Sequence, residues 1–221
     1  MKPTHAVCTL CLLVAIATPV ANAQNAEIAV TVSDERGKPV ADAVVVAVPA
    51  DGSARAGTKP RDEIVDQVDK EFLPKVQVVL VGTPVTFPNR DAVRHQVYSF
   101  SPAKRFELPL YSGVPQAVVF DKPGVVVLGC NIHDWMIGYV YVSESPYFAK
   151  TNAEGKALLT DLPPRDYVVR IWHPQLAASE ESTRKNVEVA RAHRSDVAWT
   201  VQLKPEVKIR RAPAAGQRGS Y

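Results

Sequence analysis

Short runs of β-branched residues, separated by proline and glycine, recur along this chain and leave little room for long helices. The chain holds 18 prolines in 221 residues, and an interior proline costs a helix about 3 kcal/mol because it removes a backbone donor and clashes with the preceding turn. The two most apolar runs, residues 76–81 and 125–128, fit the inner strands of two packed sheets. The predicted fold class is therefore all-β.

The strand pattern divides the chain into a middle part and two flanks. Residues 61–72 carry mixed charges and fit a short strand, a helical turn or a linker equally well. Strands are predicted at residues 27–33, 43–48, 76–81, 85–87, 96–100, 117–120, 125–128, 137–142, 156–160 and 167–172.

Composition excludes several classes of protein. Hydrophobic residues make up 46% and charged residues 22% of the chain, which is typical of a globular protein and excludes a disordered or collagen-like one. The formal net charge of +3 is too small to predict nucleic-acid binding. We therefore expect no nucleic-acid partner.

Residues 1–23 are predicted to be a secretory signal peptide. Lys2 precedes an uncharged stretch whose most apolar part, residues 6–17, is shorter than the roughly 20 residues needed to span a bilayer. Ala21-Asn22-Ala23 then forms a small-x-small cleavage pattern. The expected location is the periplasm, with no transmembrane segment in the mature protein; an uncleaved N-terminal anchor is the alternative.

Removal of the signal peptide would leave a single cysteine, Cys130. An unpaired thiol in an oxidising compartment needs an explanation. Taken alone, Cys130 could be a buried bystander, half of an intermolecular bridge, a nucleophile or a metal ligand.

The neighbours of Cys130 favour a metal ligand. His133 and Met136 follow it in a C-x2-H-x2-M pattern, and His95 precedes a predicted strand upstream. Thiolate, two imidazoles and a thioether form the ligand set of a blue copper electron-transfer centre. His95, Cys130 and His133 would then form a trigonal plane, with Met136 as the weak axial ligand.

Other chemistries fit these residues less well. A dinuclear copper centre needs two cysteines, and a multicopper oxidase needs more histidines than the mature chain holds. Structural zinc would not need the methionine and lacks an evident fourth ligand. A Cys-His protease would need an exposed nucleophile and an oxyanion site.

At these residues the chain resembles the cupredoxin, or blue copper, family. The resemblance covers about residues 62–144, with residues 82–95 similar to the segment of the first histidine and residues 120–136 similar to the ligand loop. The short loop is most similar to amicyanin, and the layout to plastocyanin-like proteins of the methylamine-utilisation type. Gln96 stands where many members of the family have asparagine directly after the first histidine. This difference leaves the four ligands intact and bears on the tuning of the reduction potential by residues around them.

The resemblance implies a Greek-key β-sandwich with one type 1 copper per chain. The implied function is a periplasmic one-electron carrier, not an enzyme, with a quinoprotein dehydrogenase as possible donor and a c-type cytochrome as possible acceptor. The alternative is a copper-binding or storage module, or an envelope interaction module, without an electron-transfer role.

The flanks resemble a second β-sandwich, of the carboxypeptidase-regulatory-like, transthyretin-like type. Residues 34–40 match its opening D-x-x-G-x-P-V turn, and residues 155–163 match its G-x-x-x-L-x-x-L-P turn. Neither half is complete alone, so we expect the cupredoxin to interrupt this domain; two domains in tandem are the alternative. The predicted domains are 24–58 with 147–203 for the flanking sandwich, 59–146 for the cupredoxin, and a basic disordered tail at 204–221, which holds five basic residues against Glu206.

Overall fold

The computed structural model describes residues 26–53, 59–191 and 193–206, which form seventeen strands and one 3₁₀ turn at Glu180–Thr183. The predicted all-β fold class is confirmed. In the described residues, no helix has the length and apolarity needed to span a membrane. The strands are β1 (Ala26–Asp34), β2 (Val44–Pro49), β3 (Glu63–Ile64), β4 (Asp66–Val68), β5 (Glu71–Leu73), β6 (Val76–Leu80), β7 (Thr83–Thr86), β8 (His95–Ser101), β9 (Lys104–Tyr111), β10 (Val118–Phe120), β11 (Gly124–Gly129), β12 (Ile137–Ser143), β13 (Tyr147–Lys150), β14 (Lys156–Leu162), β15 (Arg165–Trp172), β16 (Lys185–Val189) and β17 (Arg194–Val201).

Strands from the two ends of the chain build what we call the flanking sandwich. One sheet has the order β14-β1-β17 and the other β13-β2-β15-β16. Alternate residues of β1 are buried because successive side chains of a strand point to opposite faces. Ile28 and Val30 of β1 share one apolar core with Tyr167 of the second sheet and with Trp199.

Strands from the middle of the chain build what we call the central sandwich. Its larger sheet has the order β6-β12-β11-β8-β9, and the smaller has β10-β7-β3. The two sheets enclose a separate apolar core that includes Phe87, Phe120, Val126 and Leu128. The β4–β5 hairpin forms its own two-stranded sheet and contributes Phe72 to the same core.

In sequence, the central sandwich is inserted between two strands, β2 and β13, that pair with each other like the two strands of a hairpin. β2 and β13 are antiparallel, with Ala47 opposite Tyr147, yet residues 50–146 separate them in sequence. The Ser145 hydroxyl donates a hydrogen bond of 2.5 Å to the Ala47 carbonyl. The chain therefore leaves the flanking sandwich and re-enters it at neighbouring points.

Apolar side chains join the two sandwiches along one face of β6 and β12. Val76 and Tyr141 pack with Val44 and Val46 of β2 in a buried cluster. The Trp172 ring lies 5.6 Å from that of Tyr141. This contact buries a sheet face that would otherwise be an apolar surface.

The prediction of two inner strands is only half right. β11 is the middle strand of its sheet, but β6 is an edge strand. Val76 and Val78 of β6 are buried because the flanking sandwich covers them, whereas Val79 is buried in the core of the central sandwich. Within β11, Val127 is 43% exposed, because the contact with the flanking sandwich covers β6 and β12 but does not reach this residue.

Residues 61–72, for which the sequence favoured no single structure, form the short strands β3, β4 and β5. Four further strands, β9, β13, β16 and β17, were not predicted. β9 carries charged residues and Pro109 among its apolar ones and is mostly half-buried or exposed. Its sequence therefore lacks the strong apolar alternation that identifies a strand.

Several predictions concern residues outside the described part of the chain. These are the signal peptide at residues 1–23, most of the first domain junction near residues 56–59, and the tail from residue 207 onward. The domain boundaries at 58/59 and 146/147 stay a prediction.

We expect residues 147–203, produced alone, not to fold cooperatively. β1 lies between β14 and β17, and β2 lies between β13 and β15, so this fragment would lack the central strand of both sheets. Its sheet edges and apolar faces would then be exposed. Thermal unfolding by circular dichroism and the dispersion of amide signals in NMR spectra test this.

The matched control is a polypeptide in which residues 26–50 are joined to residues 147–203 by a short Gly/Ser linker. Because β2 and β13 already run antiparallel side by side, the linker replaces a hairpin loop, and we expect a cooperative transition. A sharp transition for residues 147–203 alone would contradict the shared sandwich.

Candidate metal centre

The C-x2-H-x2-M segment forms the loop of the β11–β12 hairpin. The last pair of that hairpin is Gly129 opposite Ile137, so Cys130 and Met136 are the first residues beyond it on each side. Within the loop, the Met136 N–H donates to the His133 carbonyl at 2.9 Å. The turn between these residues is therefore tight and internally bonded.

The upstream histidine reaches this loop through sheet pairing. His95 begins β8, and β8 lies beside β11 with Tyr98 opposite Gly129. His95 is fully buried. Long-range pairing, rather than proximity in sequence, thus brings its imidazole to the hairpin loop.

Three of the four predicted ligands converge. The Cys130 Sγ lies 3.8 Å from Nδ1 of His95 and 3.8 Å from Nδ1 of His133. One ligand atom from each of these residues lies within 4.8 Å of the others, the one such group of His, Cys or acidic residues found in the described residues. The sulfur and the two imidazole nitrogens could therefore bind one metal ion together.

The spacing of the donors fits a bound metal ion. Typical bonds of about 2.3 Å to sulfur and about 2.0 Å to nitrogen, arranged in a trigonal plane, separate sulfur from nitrogen by roughly 3.7 Å. Both sulfur–nitrogen distances here are 3.8 Å. This spacing suits zinc as well as copper, so the choice between them depends on the fourth donor.

Met136, the predicted fourth ligand, lies close to Cys130 in the fold. It is buried in the same cluster as Cys130, and both residues line one open cleft of about 420 Å³. A thioether is a soft donor that favours copper over zinc. The structure brings His95, Cys130 and His133 together, and the role of Met136 as the fourth ligand stays a prediction.

Neighbouring rings hold His133 in place. Its ring centroid lies 4.9 Å from that of His95 and 5.1 Å from that of Trp135. Burial lowers the pKa of His133, and the nearby His95 and Lys70 lower it further. The imidazole is therefore neutral at neutral pH, which leaves a lone pair available to a metal.

Asp91 orients His95 from the side opposite Cys130. The Asp91 Oδ2 lies 2.7 Å from Nε2 of His95, while Nδ1 faces the thiol. Burial acts to raise the pKa of Asp91, but hydrogen bonds from His95 and from the backbone N–H groups of Lys70 and Asp69 hold it below its ordinary value. The carboxylate is therefore ionised and can accept a hydrogen bond from the Nε2–H group of His95.

Asn89 fixes the loop between β7 and β8 that leads to His95. Its amide donates to the carbonyls of Val93 and Tyr111 at 2.9 and 3.0 Å, and its Oδ1 accepts the Asp91 N–H at 2.9 Å. The side chain is 8% exposed. Asn89 thus supplies partners to backbone groups of the loop that the bridges of its own backbone to Gln67 and Gly113 leave unpaired.

A buried hydrogen-bond pair supports the same loop from below. The Tyr111 hydroxyl donates to the Phe87 carbonyl at 2.5 Å, and the Gln67 amide donates to both. Burial raises the pKa of Tyr111 to about 12. The phenol therefore stays protonated and keeps its bond to the loop.

Gly129 permits a close contact next to Cys130. A Cβ atom at this position would lie 2.8 Å from the Tyr98 ring. Any side chain at residue 129 would therefore push Tyr98 off the backbone that leads into Cys130.

Sequence reasoning named four candidate ligands, three of which converge in the structure, but it missed the residues that hold them in place. Asp91, Asn89, Gln67 and Tyr111 carried no motif that assigned them a role, although Asn89 and Asp91 stand just before His95. The Gln96 amide donates to Glu107 at 2.5 Å on the exposed side of β8. Asn89, rather than the residue after His95, therefore ties the loops near the site together.

Comparison with known proteins gives matches to solved structures alone. No family model matches this chain, and no curated protein matches it. A copper-containing nitrite reductase from Thermus scotoductus is 29% identical with a TM-score of 0.36, over 43% of this chain and 25% of that one. A purple cupredoxin from Nitrosopumilus maritimus is 27% identical with a TM-score of 0.33, over 38% of this chain and 100% of that one.

A reduced Cu(I) form of an amicyanin variant is 24% identical with a TM-score of 0.34, over 45% of this chain and 98% of that one. This chain thus spans a quarter of the nitrite reductase and nearly all of the two smaller proteins. Because every one of these TM-scores is below 0.5, these likenesses assign no function to this chain.

We expect Asn89→Ala to destabilise the protein by about 2 kcal/mol, since each lost hydrogen bond contributes about 1 kcal/mol and buried carbonyls would remain unpaired. Urea unfolding of the metal-free protein measures this. The exposed Asn131 of the ligand loop supplies the control, and Asn131→Ala should change stability by less than about 0.5 kcal/mol. Equal effects of the two substitutions would contradict the role given to Asn89.

Proposed function

We propose that this protein is a type 1 copper protein that carries one electron at a time between redox partners, and is not itself an enzyme. The observation that carries the proposal is the convergence of the Cys130 sulfur with the Nδ1 atoms of His95 and His133, each 3.8 Å away. A bound copper ion would supply the Cu(II)/Cu(I) couple. The protein's own residues supply the ligands and keep them in place.

The four donors divide the work by their chemistry. The thiolate of Cys130 would form the strongest bond and provide electronic coupling, while His95 and His133 would complete the plane. Met136 would act as the weak axial ligand that tunes the reduction potential. Since His95, Cys130 and Met136 are all buried, little rearrangement is expected when an electron moves.

His133 is the proposed route for electrons to the surface. It is the one candidate ligand that is half-buried rather than buried. Exposed apolar side chains lie on the loops beside the ligands, at Ile132, Val93 and Val114. A surface of this kind favours short-lived docking of a redox partner, because apolar area can be covered without desolvating charges.

The expected partners and location follow from the sequence. The amicyanin-like loop spacing supports a quinoprotein dehydrogenase as donor and a c-type cytochrome as acceptor. The signal-like residues 1–23 support a periplasmic location. Stopped-flow spectroscopy tests the partner assignment by following reduction of the copper-loaded protein by a purified quinoprotein dehydrogenase and its re-oxidation by a purified c-type cytochrome.

The copper-loaded mature protein is expected to show an intense visible absorption band, because charge transfer from a thiolate to Cu(II) is strong. Cys130→Ser should abolish this band, whereas Asn131→Ser in the same loop should retain it. Visible absorption after copper titration measures both. A band that survives Cys130→Ser would end the blue copper proposal.

Met136→Leu should keep a coloured site but raise its reduction potential. The thioether stabilises Cu(II) more than an alkyl side chain does, so its removal favours Cu(I). Spectroscopic redox titration measures the change. An unchanged potential would mean that Met136 is core filler and not a ligand.

Reversibility separates an electron carrier from a copper store. The carrier should bleach with ascorbate and regain its colour with an oxidant, with copper bound throughout. Weakly coloured copper that exchanges readily with a chelator in both oxidation states would instead favour storage.

A further inference from the structure

We propose that Asp91 is a positioning residue for His95, held in place by the β4–β5 turn, and that it lowers the reduction potential of the copper site. This inference rests on the proposed function and concerns what sets the potential of that site. Neither Asp91 nor the turn belongs to the predicted ligand set.

The first step is the orientation of the His95 ring. Its Nε2 lies 2.7 Å from the Asp91 carboxylate and its Nδ1 lies 3.8 Å from the Cys130 sulfur. A carboxylate accepts a proton but cannot donate one. Asp91 therefore places the ring proton on Nε2 and leaves the lone pair of Nδ1 directed toward the thiol.

The second step is the clamp that holds Asp91 itself. The two-residue turn between β4 and β5 consists of Asp69 and Lys70, whose φ angles of +54° and +61° are both left-handed. Both backbone N–H groups of this turn donate to Asp91, at 2.7 Å from Asp69 and 2.9 Å from Lys70. Successive N–H groups that converge in this way form a small anion-binding site.

The third step concerns rigidity. Asp91 accepts two hydrogen bonds from the distant β4–β5 turn and one from His95, four residues along the chain, and its own N–H donates to Asn89. Its side chain is only 13% exposed. The β4–β5 hairpin is anchored in turn by Phe72, which is buried in the core of the central sandwich. The Asp91 carboxylate is therefore held in one place and restricts rotation of the His95 ring.

The fourth step links the carboxylate to the potential. A carboxylate that accepts the second ring proton of a ligand histidine increases the electron donation of that ring to the metal. The more highly charged Cu(II) gains more from this donation than Cu(I). Asp91 should therefore stabilise the oxidised state.

The main test is Asp91→Asn in the full-length protein. The asparagine amide is uncharged, and its NH₂ group would face at least one of the N–H donors that now bond to the carboxylate. We expect Cu(II) affinity to fall about 10-fold or more while Cu(I) affinity changes less. A tenfold difference in the oxidised-to-reduced equilibrium corresponds to a potential about 59 mV higher for one electron. Spectroscopic redox titration and copper competition measure these quantities.

The matched control is Asp134→Asn. Asp134 is an exposed carboxylate of the same ligand loop, so its removal changes the charge near the site equally without touching His95. We expect less than a threefold shift of the redox equilibrium for this variant. Equal shifts for both variants would show that only charge matters and would overturn the positioning role.

A second measurement does not depend on copper colour. In the zinc-loaded wild-type protein, ¹⁵N NMR of the histidine side chains should show His95 protonated at Nε2, with slow exchange of that proton with solvent. Asp91→Asn should accelerate the exchange, and Asp91→Glu should restore much of the protection. A His95 ring that is protonated at Nδ1 would overturn the inference, even if Asp91→Asn fails to fold.

The electron-carrier function and the role of Asp91 can be refuted separately. Absence of a visible band in the copper-loaded wild type would refute the electron carrier and leave the zinc experiment to decide the role of Asp91. A normal band with an unchanged potential in Asp91→Asn would refute the role of Asp91 and leave the electron carrier standing.

Discussion

The pairing of Gly129 with Ile137 at the end of the β11–β12 hairpin is the contact on which the candidate site depends. It closes the ligand loop and sets Cys130 and Met136 opposite each other at the base of that loop. Both residues are buried in the core of the central sandwich. Loss of this closure would separate them and would also release His133 from its turn.

The other half of the site is held by hydrogen bonds rather than by apolar packing. His95 lies at the start of β8, where the sheet ladder is no longer continuous, and its preceding loop depends on Asn89, Asp91 and Tyr111. Polar contacts have stricter geometry than apolar ones. They are therefore suited to fixing a ring orientation, which apolar packing alone would leave less well defined.

The β12 strand connects the candidate site to the flanking sandwich. One face of β12 contributes Val140 to the central core, and the other face contributes Tyr141 to the contact between the sandwiches. The strand begins directly after Met136 and leads to β13, which pairs with β2. The flanking sandwich thus supports the strand that follows the ligand loop, and it covers β6, which would otherwise be an exposed edge of the same sheet.

The sequence by itself determined the all-β class, most strands of the central part and the four candidate ligands. These follow from local patterns, since alternation of apolar residues is a property of neighbouring positions and the C-x2-H-x2-M spacing fits one tight loop. Residues 61–72 and β9 could not be assigned, because short or polar strands lack a distinct alternation and are stabilised by partners far away in sequence.

Tertiary structure alone decided how distant segments meet. His95 approaches Cys130 because β8 lies beside β11, and Asp91 meets the turn at Asp69 and Lys70 because a separate hairpin packs against the same core. The burial of β6 likewise depends on a sheet formed by residues before 50 and after 146. A sequence records which side chains are present, but contacts between segments that are remote along the chain depend on how whole sheets pack, which no local pattern encodes.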